Sequence, residues 1–152
     1  MMHDHPVDDI DRRIISELNA DGRLTMFELG ERVGLSSSAV HRRVKSLEDR
    51  GIVTGYRAVV DRAAAGRGFE VYVSIMLRTT DPAAVAELEA ALDRLDEVVA
   101  CHRLFGEPDY LVLVAVEDLA SYERLWTERL ATLPNTARVS SQMTMKVLKR
   151  ST

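Results

Sequence analysis

The sequence predicts an α+β chain in two parts, a helical N-terminal region and a mixed C-terminal one, on three observations. Up to about residue 60 the apolar residues recur at helical spacing: Ile10, Ile14 and Leu18, then Phe27, Leu29 and Val33, then Val40, Val44 and Leu47. Beyond it two runs, residues 71–77 and Tyr110–Val116, are rich in apolar and β-branched side chains, as strands are. Between them Asp61-Arg62-Ala63-Ala64-Ala65-Gly66-Arg67-Gly68 is small and charged, with two glycines, the composition of a linker. The expected division is a first domain over 1–53, a linker strand and hinge over 54–68, and a second domain over 69–152. With 152 residues, 46% of them hydrophobic, the chain is large enough to bury a real core.

The helix ends of the first region are legible. Thr25-Met26-Phe27-Glu28 has the spacing of a capping box, and Leu24 with Leu29 that of a hydrophobic staple. Ser36 is placed to cap the next helix, with Leu35 and Val40 as its staple. Only Val33-Gly34-Leu35 separates the two, so Gly34 is expected in a left-handed conformation. Helices joined this tightly cross steeply, and Gly30 supplies the small residue where they touch. The layout is that of a three-helix (winged) helix-turn-helix domain whose third helix reads DNA.

On a helical wheel Val40, Val44 and Leu47 form the buried stripe of that helix. Ser38, Arg42 and Lys45 point away from it, with Ser37, His41 and Arg43 on the flanks. The short side chains of Ser36, Ser37 and Ser38 permit close approach to a major groove. Arg42 is suited to a guanine edge, and Arg43 and Lys45 to phosphates. The same face would also serve as solvated surface on a helical hairpin; the caps, the glycine turn and the glycine contact favour double-stranded DNA. The next segment, Gly51-Ile52-Val53-Thr54-Gly55-Tyr56-Arg57, reads as a wing or linker strand, with Arg57 either at a backbone phosphate or on plain strand surface.

From Phe69 the expected order is strand, helix, strand, strand, helix, strand, a ferredoxin-like βαββαβ domain. The first helix starts at Pro82 after Asp81 and carries Val85, Leu88, Leu92 and Leu95 on one face. The second follows Asp118 and carries Tyr122, Leu125, Trp126, Leu130 and Leu133. The remaining strands fit residues 98–105, Tyr110–Val116 and roughly 137–148. Both helices are expected on one face of an antiparallel sheet, leaving the other wet. Yet Tyr110–Val116 is apolar throughout, so both of its faces need cover, and a homodimer through the sheet supplies it. The turn Phe105-Gly106-Glu107-Pro108-Asp109-Tyr110 has two readings. Glycine and proline make a turn there whatever the function. Alternatively it is a small-molecule site at a subunit interface, with the Gly106 amide for a carboxylate, Asp109 for an ammonium group and Tyr110 as a wall, which suits an amino acid.

These motifs together resemble the Lrp/AsnC (feast/famine) family of transcriptional regulators. The resemblance runs from about Val7 to Lys149. It rests on Asp11-Arg12-Arg13-Ile14-Ile15-Ser16-Glu17-Leu18, Asp21-Gly22-Arg23, Leu29 through Ser36, Arg42 through Gly51, Gly55-Tyr56 and Gly106-Glu107-Pro108-Asp109-Tyr110-Leu111. It implies a DNA-binding domain joined to a ligand-responsive domain, dimers that assemble further into tetramers or octamers, and amino-acid effectors. It places the effector at Leu104, Gly106, Glu107, Asp109 and Tyr110, with Ser141 from the last strand. Two departures stand out: Val139 and Ser141 where the family often has alternate threonines, and Ser36-Ser37-Ser38-Ala39 in place of a proline-containing helix start.

The charge balance bears on the class of DNA binder. With 24 acidic and 20 basic side chains the net charge is -4, which argues against a coat that binds DNA over its whole surface. From residue 36 to 57, however, five basic side chains stand against two acidic ones, so binding is expected through one small face. No cofactor or metal is expected. Cys101 and His102 are strand neighbours and point to opposite faces, the thiol expected buried. His3 and His5 read as a tail, Met143 and Met145 as packing residues. The single cysteine, the lack of a long apolar run and an opening without a leader pattern suggest a cytoplasmic protein. The rival classes are a small dimeric ferredoxin-like enzyme, for which no paired acid and base or phosphate loop is visible, and an effector-independent DNA-organising protein.

Overall fold

In the computed structural model, which describes residues 7–148, the chain divides into two compact units at Val59/Val60. The first unit is three helices on one core. Helix α1 (Asp9–Ala20) opens with a capping box: the Asp8 carboxylate accepts from the Asp11 amide at 2.8 Å and the Asp11 carboxylate from the Asp8 amide. Helix α2 (Met26–Val33) opens with the Thr25 and Glu28 box and ends at Gly34, whose φ of 76° is left-handed. Helix α3 (Ser37–Asp49) is capped by the Ser36 hydroxyl, which accepts from the Ala39 amide. Between α2 and α3 the backbones meet closely enough that a Cβ on Gly30 would lie 2.6 Å from the Leu35 carbonyl oxygen. Ile14, Leu18, Leu24, Leu29, Val33, Val40, Val44 and Leu47 form the core.

Residues 54–60 pair with no strand, so neither the wing nor the linker strand expected there is formed. Tyr56 anchors the start of this stretch, donating its hydroxyl hydrogen to Glu48 at 2.9 Å. The glycine-containing segment that follows is an ordered turn rather than a loose linker. Asp61 accepts from the Ala63 and Ala64 amides. Arg62 pairs at 3.0 Å with the buried Glu70, and Arg67 donates to the Asp96 carbonyl.

The second unit has the order β1 (Phe69–Leu77), α4 (Pro82–Asp93), β2 (Val98–Arg103), β3 (Tyr110–Val116), α5 (Leu119–Glu128), a 3-10 turn (Leu130–Thr132) and β4 (Thr136–Met143). The sheet order is β2-β3-β1-β4, with every neighbouring pair antiparallel. Asp81 caps α4 through the Ala83 and Ala84 amides, and Asp118 caps α5 through the Ser121 amide. Val71, Val73 and Ile75 of β1, and Tyr110, Val112 and Val114 of β3, pack with Leu88, Leu92, Tyr122 and Leu125 in one core, so both helices cover the same sheet face.

Two strands are shorter than the sequence suggests. β2 stops at Arg103, and one further bond in register, from the Leu104 amide to the Asp109 carbonyl at 2.7 Å, closes the hairpin before the turn. β4 stops at Met143, opposite Val71; one further bond, from the Thr144 amide to the Glu70 carbonyl, ends the ladder where β1 itself begins. Met143 and Met145 are therefore exposed and not packed. Cys101 is exposed as well, on the outermost strand, at the edge of the helix-covered face where it borders the cleft between α4 and β2. His3 and His5 lie outside the described residues.

Three helix caps make an acid-sensitive set. The Asp11 amide, then Arg43, holds the Asp8 carboxyl below its ordinary pKa; the Thr25 amide does the same for Glu28, and the Ser121 amide for Asp118. A carboxyl whose pKa is lower folded than unfolded stabilises the fold fully above the unfolded value of about 4 and loses that contribution as pH falls through the folded one. The thermal midpoint followed by circular dichroism is thus expected to fall as the pH is taken down from about 4. A midpoint unchanged below that value would show that these caps contribute nothing.

Candidate nucleic-acid interface and ligand-binding domain

The wheel expected for the third helix is the one α3 adopts. Val40, Val44 and Leu47 are buried, while Ser38, His41, Arg42 and Lys45 are exposed; Ser36, before the helix, is exposed and Ser37 half-buried. The Ser36 and Ser38 hydroxyls lie 3.2 Å apart. The side chains of His41, Arg42 and Lys45 make no hydrogen bond or ion pair with the described residues. Their polar groups are solvated and available, which a groove-facing surface requires. Arg57 is exposed in the unpaired stretch.

Arg43 is different. Its Nη1 bonds Asp8 at 2.8 Å and Asp11 at 2.7 Å, so its charge already faces two carboxylates at the start of α1. A wheel drawn for α3 alone cannot show this, since the partners lie 32 and 35 residues away.

In the second unit the six residues expected at an effector site do not converge within one chain. Leu104, Gly106 and Glu107 are exposed on the β2–β3 turn, next to a fully exposed Phe105. One carboxylate oxygen of Asp109 accepts from the Leu77 amide at 2.7 Å, a bond that ties the turn to β1. Tyr110 is buried; its register with Ile75 sets it on the helix-covered face, not in the turn. Ser141, in register with Val73, is two strands across from β3, and its hydroxyl lies 2.6 Å from that of Tyr122.

Tyr110 instead borders a cleft of about 440 Å³ between α4 and β2, together with Glu89, Leu92, Leu95, Val98 and Arg103. Its hydroxyl donates to Glu89 at 2.6 Å, and the Arg103 guanidinium lies over its ring at 5.8 Å from the centroid. Burial, and then the Glu89 carboxylate, push the Tyr110 phenol up to about 12, so it remains a hydrogen-bond donor throughout the physiological range. Neither Glu89 nor Arg103 stands out in the sequence; the signal lies in their position on either side of a buried tyrosine. Cys101 pairs in register with Val112 and His102 with Leu111, so the two point to opposite faces. Among the described residues no helix is long and apolar enough to cross a membrane.

A capped helix-turn-helix with an unpaired basic face, followed by a separate sheet-and-helix unit, defines a DNA-binding regulator with a second, non-DNA domain. Residues 7–54 match a winged helix-turn-helix DNA-binding domain, and residues 70–152 match the Lrp/AsnC ligand binding domain. The chain belongs to the Lrp/AsnC family of transcriptional regulators. It is 36% identical over 142 residues to the proline dehydrogenase transcriptional activator of Rhodobacter capsulatus, covering 93% of this chain and 92% of that one. It is 34% identical over 145 residues to the leucine-responsive regulatory protein of Escherichia coli, with 95% and 88% covered. Among solved structures it superposes with a TM-score of 0.91 and 31% identity on a transcriptional regulator of Neisseria meningitidis in complex with L-methionine, over 97% of this chain and 95% of that one. A feast or famine regulatory protein of Mycobacterium tuberculosis complexed with L-methionine gives 0.84 at 38% identity, over 95% and 96%.

Proposed function

We propose that this regulator reads its operators through Ser36, Ser37, Ser38, His41, Arg42 and Lys45, with Arg57 at the DNA backbone, as a homodimer assembled through the second unit. The observation that carries the reading is the solvated polar groups of Arg42 and Lys45, set opposite the buried Val40, Val44 and Leu47. A bidentate arginine to a guanine edge is worth about 1–3 kcal/mol. Arg42→Ala is therefore expected to weaken binding to DNA from upstream of the regulator's own gene about tenfold or more, measured by fluorescence anisotropy at physiological salt. Full affinity in that variant would refute the recognition face.

The effector in this reading is an amino acid, as the L-methionine complexes of two similar regulators support. Since Leu104, Gly106, Glu107 and Asp109 are clustered at an exposed turn while Ser141 is far from it, the site is completed by another copy of the chain, in a dimer or a higher assembly such as a tetramer or octamer. A thermal-shift panel of the common amino acids tests this, because a ligand that binds the folded state raises its midpoint. No shift with any of them would count against it. The DNA-binding region is residues 1–53 and the effector and assembly region 69–152, acting in the cytoplasm, where the DNA is. The hinge is confined to 54–60, because the turn after it is bonded into the second unit through Arg62 and Arg67.

A further inference from the structure

Arg43 sits in the recognition helix, carries a charge and lies beside Arg42, so its sequence position suggests a phosphate contact. Its surroundings suggest the opposite. A single nitrogen, Nη1, bonds the carboxylates of Asp8 and Asp11, and the Asp11 side chain is only 9% exposed. Those two carboxylates are also the two halves of the α1 capping box, so each is fixed by a backbone amide before Arg43 reaches it. An exposed ion pair between two mobile side chains contributes little. Here the acceptors are already ordered and one is nearly buried, so less is lost in making the bonds. Two negative charges beside one positive also leave the spot unattractive to a phosphate.

We propose that Arg43 is a positioning residue for DNA reading: it locks the rotation of α3 against the start of α1 and does not itself touch DNA. The inference rests on the recognition-face reading of α3 above. Arg43 adjoins Val44 at the flank of the buried stripe, where a bond to α1 resists rolling of the helix about its axis. With a radius to the side chains of roughly 5–6 Å, a roll of about 20° moves a groove-facing side chain by roughly 2 Å. That displacement is enough to break a base-edge hydrogen bond.

The test separates positioning from phosphate binding by two readouts on the full chain, with folding checked by circular dichroism. The first is the slope of log affinity against log salt, which changes by about 0.9 for each phosphate that is no longer neutralised. The second is the ratio of operator to random-sequence affinity, measured below the melting transition, which a general loss of stability does not move. Arg43→Ala is expected to keep the slope and reduce the ratio about tenfold, the worth of one base-edge interaction. The double variant Asp8→Asn with Asp11→Asn keeps groups able to cap α1 while removing the carboxylates. It is expected to lower the ratio too, although removal of two negative charges by itself would tighten binding to every DNA.

A slope reduced by about 0.9 in Arg43→Ala, with the ratio intact, would make Arg43 a phosphate ligand and overturn the proposal. An unchanged or raised ratio in the double asparagine variant would overturn it as well, and that variant decides alone should Arg43→Ala not fold. Failure of the recognition-face reading shows separately, as full affinity in Arg42→Ala.

Discussion

Replacing Gly30 with alanine is expected to unfold the N-terminal unit and abolish DNA binding while the second unit stays folded. The added Cβ would lie 2.6 Å from the Leu35 carbonyl oxygen, with the Ser36 carbonyl carbon and the Ser37 amide nitrogen at 3.5 Å. All three are backbone atoms of the turn and the start of α3, so no flexible side chain can swing aside. Relief requires the start of α3 to move away from α2, which opens the packing of Val33 against Val40 and Val44. Overpacking typically costs about 1–3 kcal/mol, and a rigid backbone neighbour places this change at the upper end. A helical unit of this size has only a few kcal/mol to lose. Gly34→Ala supplies the contrast. It is strained by a φ of 76°, but nothing lies within 4 Å of its new Cβ. Its cost is the left-handed penalty alone, about 1–2 kcal/mol. Thermal melts followed in the helical band, with calorimetry to resolve the second unit, give the order of the two variants. If Gly34→Ala proved the more damaging, close approach would not be what Gly30 provides.

The features read correctly from the sequence are those set by neighbours a few residues apart. The Thr25 and Glu28 box, the left-handed Gly34 and the Val40, Val44 and Leu47 stripe each need only local geometry, and each is present. The limits of β3 were legible because its apolar run is bounded by a turn on each side. What failed depends on partners distant in sequence. Residues 54–60 and 144–148 have strand-like composition, but a strand needs another to pair with, and no composition signals that lack. Alternation also hid the placing of the effector candidates. Tyr110 and Ser141 share a face with Ile75 and Val73, hence with the helices, and this follows only from the register. Arg43 is the sharpest case: its identity and its place on α3 fit a phosphate contact, and its ion pairs with the α1 cap, 32 and 35 residues away, are visible only in the fold.

The open face of the sheet carries the second large effect. Tyr72 and Ser74 of β1 stand in register with Leu113 and Leu111 of β3, and next to them with Gln142 and Ser140 of β4. β1 and β3 are the central strands, so an apolar centre of Tyr72, Leu111 and Leu113 is flanked by polar side chains, the anatomy of a protein interface. Tyr72 is 41% exposed and the two leucines half-buried, while on the opposite face the central strands β1 and β3 are covered by α4 and α5. A second copy related by a two-fold axis presents the same patch to itself. Leu113→Glu would put a carboxylate from each copy into that apolar centre, where burial penalises both charges and each repels the other. The variant is expected to be monomeric at micromolar concentration by light scattering, with the second unit still folded because the substitution lies outside the core, at a midpoint lowered only by the lost association. Its affinity for a full operator is expected to fall by at least tenfold, since a lone recognition helix loses the second half-site that a dimer holds at high effective concentration. A Leu113→Glu chain that stayed dimeric would move the interface off the sheet, and the unpaired stretches at 54–60 and 144–148 would then be the surfaces to test.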